Sequence, residues 1–254
     1  MRDYLLFRLY GALASWGDIA VGDIRPSYAY PSKSAIIGLV SAALGVERQE
    51  SEKLEELFKL IFSVRIDAVG MPIEDYHTIQ SPSQAALKTA RHNSRAAEIA
   101  AIRWEQMEKK QQPGAIQSRR TYYTDSIYTV ALSETDLERV KWDVLKINDL
   151  SGLLAKLREP EFPLYLGRKS CPLGLPLEPQ IKTAENVKQA FVKAEFDFKD
   201  ELMPLLEKSR IIRYYTEEKE MTEMKQSRRD QPVSKERWQF TDRDEYYFAE
   251  QRGG

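Results

Sequence analysis

Residues 34 to 46 read SAIIGLVSAALGV, thirteen residues without a charge. Ser32 or Ser34 is placed to cap a helix here, Pro31 sits just outside it, and Gly45 supplies a left-handed end. The segment is apolar on nearly every side and rich in small residues, so it predicts a helix lying flat against a sheet. At this length it cannot span a bilayer.

The surrounding segments supply the sheet. Residues 2 to 10 read as a buried first strand, and Gly11 to Pro31 as a long loop. Residues 51 to 60 carry Leu54, Leu57, Phe58 and Leu60 at helical spacing. Residues 61 to 69 and 71 to 79 read as two strands joined at Gly70 in a hairpin. Residues 122 to 132 read as one strand, followed by a helix starting at Ser133 and a further helical piece over 148 to 157. Seven Pro and Gly residues make 159 to 180 a turn-filled loop. Residues 211 to 217 and 237 to 248 look like strands, separated by a polar segment. This order fits an α+β chain built on a split β-α-β sheet of the ferredoxin type, with a smaller β-rich C-terminal part.

Residues 81 to 121 interrupt the pattern. They hold eight cations (Lys88, Arg91, Arg95, Arg103, Lys109, Lys110, Arg119, Arg120) against three anions, Glu98, Glu105 and Glu108, in a chain of net charge -1. Few large apolar residues are available for a core, so the stretch reads as an insertion projecting from the body. The expected division is a body of 1–80 and 121–180, an insertion of 81–120 and a C-terminal part of 181–254. With Trp104, the insertion can track a phosphate backbone. A solvated helix of mixed charge is the plain alternative.

Chemistry is sparsely signalled. Two histidines and one cysteine give no metal-ligand spacing, so no metal site and no cofactor is expected. YLGRKSCP, residues 165 to 172, places the single cysteine beside Gly167, Arg168, Lys169 and Ser170. No histidine is near to act as its base, and Cys171 reads as a small buried filler. PSKS, residues 31 to 34, is either an anion site, with Lys33 beside free helix N–H groups, or a plain capped helix. Tyr76, His77 and Lys88 carry the groups needed for metal-free RNA cleavage. A strand-end histidine that hydrogen-bonds or stacks is the simpler reading. The amino-terminal segment has an acid and an arginine within its apolar run, unlike a signal peptide, and a cytoplasmic protein is expected.

Four blocks occur in order: YLLFRLYGALASWG, RPSYAYPSKSAIIGLVSAALGV, DYHT and YLGRKSCPL. Together they closely resemble the Cas-five subunits, RAMP-superfamily proteins of the type I-E CRISPR surveillance complex, Cascade. The resemblance covers 1 to 80 and 119 to 180 strongly and the rest loosely. It implies an RRM-related domain whose insertion forms a thumb, crossing the CRISPR guide RNA and packing on the adjacent backbone subunit. The body then caps the 5′ handle of that RNA, near the large subunit and the target DNA, in antiviral defence. Another subunit cuts the precursor in type I-E, so no catalytic residue is expected. In type I-C the related protein is itself the endoribonuclease, which is the alternative. On the matched blocks, Arg25, Lys33, Arg91, Arg95, Arg103, Arg119, Arg120, Arg168 and Lys169 are candidates for phosphates. Trp16, Tyr28, Tyr30 and His77 are candidates for stacking, Ser34 and Ser170 for hydrogen bonds, and Gly167 for close backbone approach.

Overall fold

The computed structural model describes residues 1–85, 94–110, 112–135, 138–198, 200–222, 224–234 and 239–252. It divides into two compact units, one of residues 1–16, 28–73 and 122–254, here the body, and one of residues 17–27 and 74–121.

In the body, β1 (Arg2–Tyr10) is followed by helices α1 (Lys33–Leu44) and α2 (Ser51–Phe58) and by β2 (Ile61–Ala68). β3 (Met71–Ser81), helix α3 (Arg95–Glu108) and β4 (Gly114–Thr124) come next. β5 (Ile127–Ser133), α4 (Leu150–Arg158) and β6 (Gln180–Ala184) complete the first sheet motif. Beyond it lie α5 (Val187–Lys193), α6 (Met203–Lys208), β7 (Ile211–Thr216), β8 (Lys225–Ser234) and β9 (Gln239–Gln251). The main sheet runs β6-β1-β5-β2-β7-β9-β8, and each neighbouring pair is antiparallel. β1 and β2 are therefore parallel, with β5 between them, which is a split β-α-β arrangement. The C-terminal strands continue the same sheet.

β1 is buried from Tyr4 to Leu9 because both of its faces are covered. Leu5, Phe7 and Leu9 join the large core under α1 and α4, while Tyr4 and Leu6 pack with Val187, Ala190 and Phe191 of α5. The N-cap of α1 is Ser32, whose Oγ accepts from Ala35 N–H at 3.1 Å, and Gly45 closes the helix at φ 72°. Ile36, Ile37, Leu39, Val40 and Ala43 are buried, as an all-round apolar helix requires. Among the described residues no helix is long and apolar enough to cross a membrane.

Several sequence expectations are corrected. β2 and β3 form no hairpin: β2 pairs with β5 and β7, whereas β3 pairs with β4. Gly70 serves a close approach instead, since a Cβ there would lie 1.9 Å from the Thr124 carbonyl oxygen. The expected strand over 122 to 132 is broken at Asp125, which turns at φ 54°. Ser133 ends a strand, and no helix follows it among the described residues before α4. Glu134 instead accepts from Val140 N–H and Trp142 Nε1–H, and Glu56 from Lys141 N–H, which holds this connection as turns. α5, α6 and β8 are elements that hydrophobic periodicity does not announce.

Candidate nucleic-acid interface

In the body, residues 165 to 172 close into a tight turn. Leu166 N–H donates to Cys171 O at 2.7 Å and Cys171 N–H to Arg168 O at 2.9 Å. Ser15 N–H donates to Leu166 O at 3.1 Å, which fastens the turn to the segment after β1. Gly167 adopts φ 84°, and a Cβ there would lie 2.0 Å from Ser15 O. The close approach expected of Gly167 is thus made to the protein's own backbone. Arg168 is half-buried, with Nε donating to Ser15 Oγ at 2.9 Å and its guanidinium 5.7 Å from the Tyr122 ring centre. Lys169 and Ser170 are exposed at the tip.

Cys171 is fully buried. Burial pushes its thiol up from the ordinary cysteine value, against a weaker pull from Ser170 and Arg168. It is the neutral filler that the sequence suggested. A disulfide reagent such as DTNB is expected to label it only as fast as the body opens. Rapid labelling of folded protein would refute that packing.

The start of α1 does hold an anion, but an internal one. Lys33 N–H donates to Asp230 Oδ2 at 2.7 Å. Lys33 is 5% exposed, and its Nζ lies 3.0 Å from Glu217. Lys33 therefore faces protein carboxylates. Ser34 is half-buried, with Oγ 3.0 Å from Ser32 Oγ. Behind Lys33, Arg243 donates from Nε to Asp230 Oδ1 at 2.6 Å and from Nη2 to Glu245 Oε1 at 2.7 Å. Burial works against charge on Arg243, yet Asp230, Glu217 and Glu245 raise its pKa. Arg228 lies 4.2 Å from the ring centres of both Tyr28 and Tyr30. Lys33, Arg228 and Arg243 thus meet Glu217, Asp230 and Glu245, three cations against three anions inside the body.

The aromatic candidates divide. Trp16 is buried edge-on against Tyr128, ring centres 5.8 Å apart. Tyr30 stacks on Tyr215 at 3.8 Å and donates its hydroxyl to Glu245 at 2.7 Å. Neither has a free face for a base. Tyr28 is half-buried beneath Arg228.

In the second unit, Ser94 caps α3 by accepting from Ala97 N–H. Arg95 is exposed, pairs with Glu98 at 2.7 Å and donates to Gln80 O at 2.9 Å. Arg103 is exposed. Trp104 is 53% exposed, with Lys109 Nζ 4.6 Å from its ring centre. Glu105 is buried and accepts from Ser83 N–H at 2.9 Å, so one of the three anions is withdrawn from the surface. Ile24 and Arg25 pair in parallel with Arg119 and Arg120 of β4, gathering three arginines on two strands. Arg25 Nη1 donates to Gly22 O at 2.6 Å. Arg119 lies 6.0 Å from the Tyr76 ring centre, and the buried Arg120 Nε has no hydrogen-bond partner among the described residues. His77 Nε2 pairs with Asp75. Alternation along β3 sends His77 and Asp75 to one face and Tyr76 to the other, so Tyr76 and His77 do not converge on one atom. Arg91 and Lys88 lie outside the described residues. The arrangement can hold phosphates through several guanidinium groups. Sequence reasoning missed the internal carboxylate at α1, and only the inward register of a polar strand could have revealed it.

The sequence profile of the family described as CRISPR-associated protein (Cas_Cas5) matches residues 4–244. The chain is 29% identical over 186 residues to the CRISPR system Cascade subunit CasD of Escherichia coli (strain K12), a match covering 70% of each. A chain of a solved CRISPR RNA-guided surveillance complex superposes with TM-score 0.64 at 22% identity, over 98% of this chain and 90% of that one. A crystal structure of a Cas protein gives TM-score 0.53 at 23% identity, over 98% and 94%. These two superpositions extend the likeness in fold across the whole chain. With its profile spanning nearly every residue, the chain belongs to the CRISPR-associated Cas-five family.

Proposed function

We propose that this chain is a non-cleaving, guide-RNA-binding subunit of a type I-E Cascade complex, holding and capping the 5′ handle. The 29% identity to CasD over 186 residues carries the reading. On this reading the body binds the handle through Lys169, Ser170 and the outer face of Arg168. Arg25 serves the RNA together with Arg95, Arg103, Arg119 and Arg120 of the basic insertion, which acts as the thumb toward the neighbouring backbone subunit. Trp16, Tyr30 and Lys33 take no part in RNA binding because they are buried among protein groups. The large subunit and target DNA are the remaining neighbours.

The test is repeat-derived RNA with purified protein, with and without added divalent metal. Binding without cleavage is expected. Arg168→Ala with Lys169→Ala should weaken it by about tenfold and lower the salt slope by roughly 0.7 for each phosphate no longer neutralised. Cleavage within the repeat that His77→Ala abolishes would overturn the proposal and make the chain a processing nuclease.

A further inference from the structure

A cleft of about 580 Å³ opens in the body between the end of β2, the turn at Thr124–Asp125 and the junction of α6 with β7. Lys208, Arg210 and Arg213 line it, and Asp125 is the one carboxylate among its lining residues. That carboxylate meets the neutral Tyr10 hydroxyl and keeps its charge, so the lining carries three cations against one anion. Neither Lys208, Arg210 nor Arg213 has a side-chain hydrogen bond or ion pair among the described residues. Arg252 is bonded beside the lining residue Ser209. It donates to two neutral acceptors, Ser209 O at 3.1 Å and Asp67 O at 2.5 Å, so both bonds leave its charge unneutralised.

Apart from Thr124 and Ser209, the rest of the cleft is apolar and open to solvent. Val69 is 46% exposed, Met71 73% and Ile211 44%. Cations gathered in a concave, low-dielectric wall focus positive potential far beyond what a net charge of -1 suggests. Phosphate oxygens match the three cations, and a ribose matches the Met71 and Ile211 surface. No aromatic ring lines the cleft, so it offers no stacking platform by which to discriminate bases. Its volume admits a nucleotide or two of a strand and no duplex.

The geometry points to this cleft as a sequence-independent seat for the phosphodiester backbone of a single-stranded nucleic acid, separate from the turn at 165 to 172. The choice of nucleic acid over another polyanion rests on the function proposed above. The site itself rests on the cleft.

The experiment uses the full chain and two fluorescent probes without repeat sequence, an oligouridine and the matching oligodeoxythymidine. Lys208→Ala/Arg210→Ala/Arg213→Ala should weaken binding at low salt by at least about tenfold and flatten the salt slope by roughly 2, three phosphates at about 0.7 each. Weakening for both probes assigns the backbone alone. Weakening for the RNA probe alone assigns an RNA strand recognised with its 2′-hydroxyls. Unchanged affinity and slope for both probes would overturn the site. Lys208→Gln/Arg210→Gln touches only exposed side chains. It should reproduce about two-thirds of the slope change with the urea midpoint unmoved, which separates a weakened site from a weakened fold. Repeat-derived RNA is the third arm. If it fails to bind while the oligonucleotide slopes respond, the handle reading falls and the cleft stands. If it binds as expected while the oligonucleotides ignore the triple variant, the cleft falls and the handle reading stands.

Discussion

Asp230→Ala is expected to destabilise the body by about 3–5 kcal/mol, the range found when one partner is removed from a buried ion pair. Three bonds end on this carboxylate: Lys33 N–H at 2.7 Å and two from Arg243, at 2.6 and 3.1 Å. Its removal leaves the first turn of α1 without its anion and strands a guanidinium whose side chain is 7% exposed. Glu245 and Glu217 remain near Arg243, at 2.7 and 3.9 Å, but they also answer to Tyr30, Phe62 N–H and Lys33. The net charge of the cluster rises from zero to +1, and that excess cannot reach water. Urea unfolding measures the effect, and a loss under about 1 kcal/mol would show that the network is slack or wet. Asp244→Ala is the control on the same hairpin. Its partner Lys225 is exposed, so the midpoint should stay close to that of the parent protein. Asp230→Asn should fall between, since it keeps an acceptor for Lys33 N–H and loses the charge.

The same network explains which elements the sequence disclosed. β1, α1 and β2 announce themselves because most of their buried residues are apolar and correctly spaced, with Arg8, Lys33 and Asp67 as the charged exceptions. Ser32 and Gly45 mark the ends of α1 by backbone chemistry that is local to the chain. β8, KQSRRDQPVS, reads as a polar linker because its inward residues are Arg228 and Asp230. A strand that buries charge breaks the link between apolar alternation and burial on which strand recognition depends. Its partners on β9, Arg243 and Glu245, and the helix start at Lys33 are distant in sequence. The compensation that makes the burial tolerable is therefore invisible without the fold. For the same reason PSKS reads equally as an anion site or a plain capped helix, and nothing near it in the sequence points to Asp230. Cys171 was legible because a thiol without a nearby base has little to do besides pack. The hairpin expected at Gly70 failed because the glycine signal reports a close approach but not to what. The Thr124 carbonyl, not a turn, uses it. On the insertion, composition disclosed the excess of cations. Only the structure shows Glu105 turned inward onto Ser83 and Arg25 drawn beside Arg119 and Arg120.

Gly167→Ala is expected to cost more than about 2 kcal/mol, although the residue is exposed. A side chain at φ 84° is strained by roughly 1–3 kcal/mol. The new Cβ would also meet Ser15 O at 2.0 Å and Ser15 C at 2.9 Å, both backbone atoms that cannot swing aside. Relief requires the turn to lift from the segment after β1. That strains Ser15 N–H to Leu166 O at 3.1 Å and Arg168 Nε to Ser15 Oγ at 2.9 Å. Two readings of this glycine then separate cleanly. If it existed to let an RNA backbone approach, alanine would weaken handle binding and leave the urea midpoint alone. As a packing glycine it should shift the midpoint, and RNA affinity should fall only as far as Lys169 and Ser170 are displaced with the turn. Lys169→Ala supplies the opposite signature, with affinity reduced and the midpoint retained, because its side chain is exposed at the tip. Comparing the two variants assigns each residue of the octapeptide its work: Gly167 and Cys171 seat the turn, and Arg168 bridges it to Ser15 and Tyr122. Lys169, Ser170 and the outer face of Arg168 are what remains for a ligand.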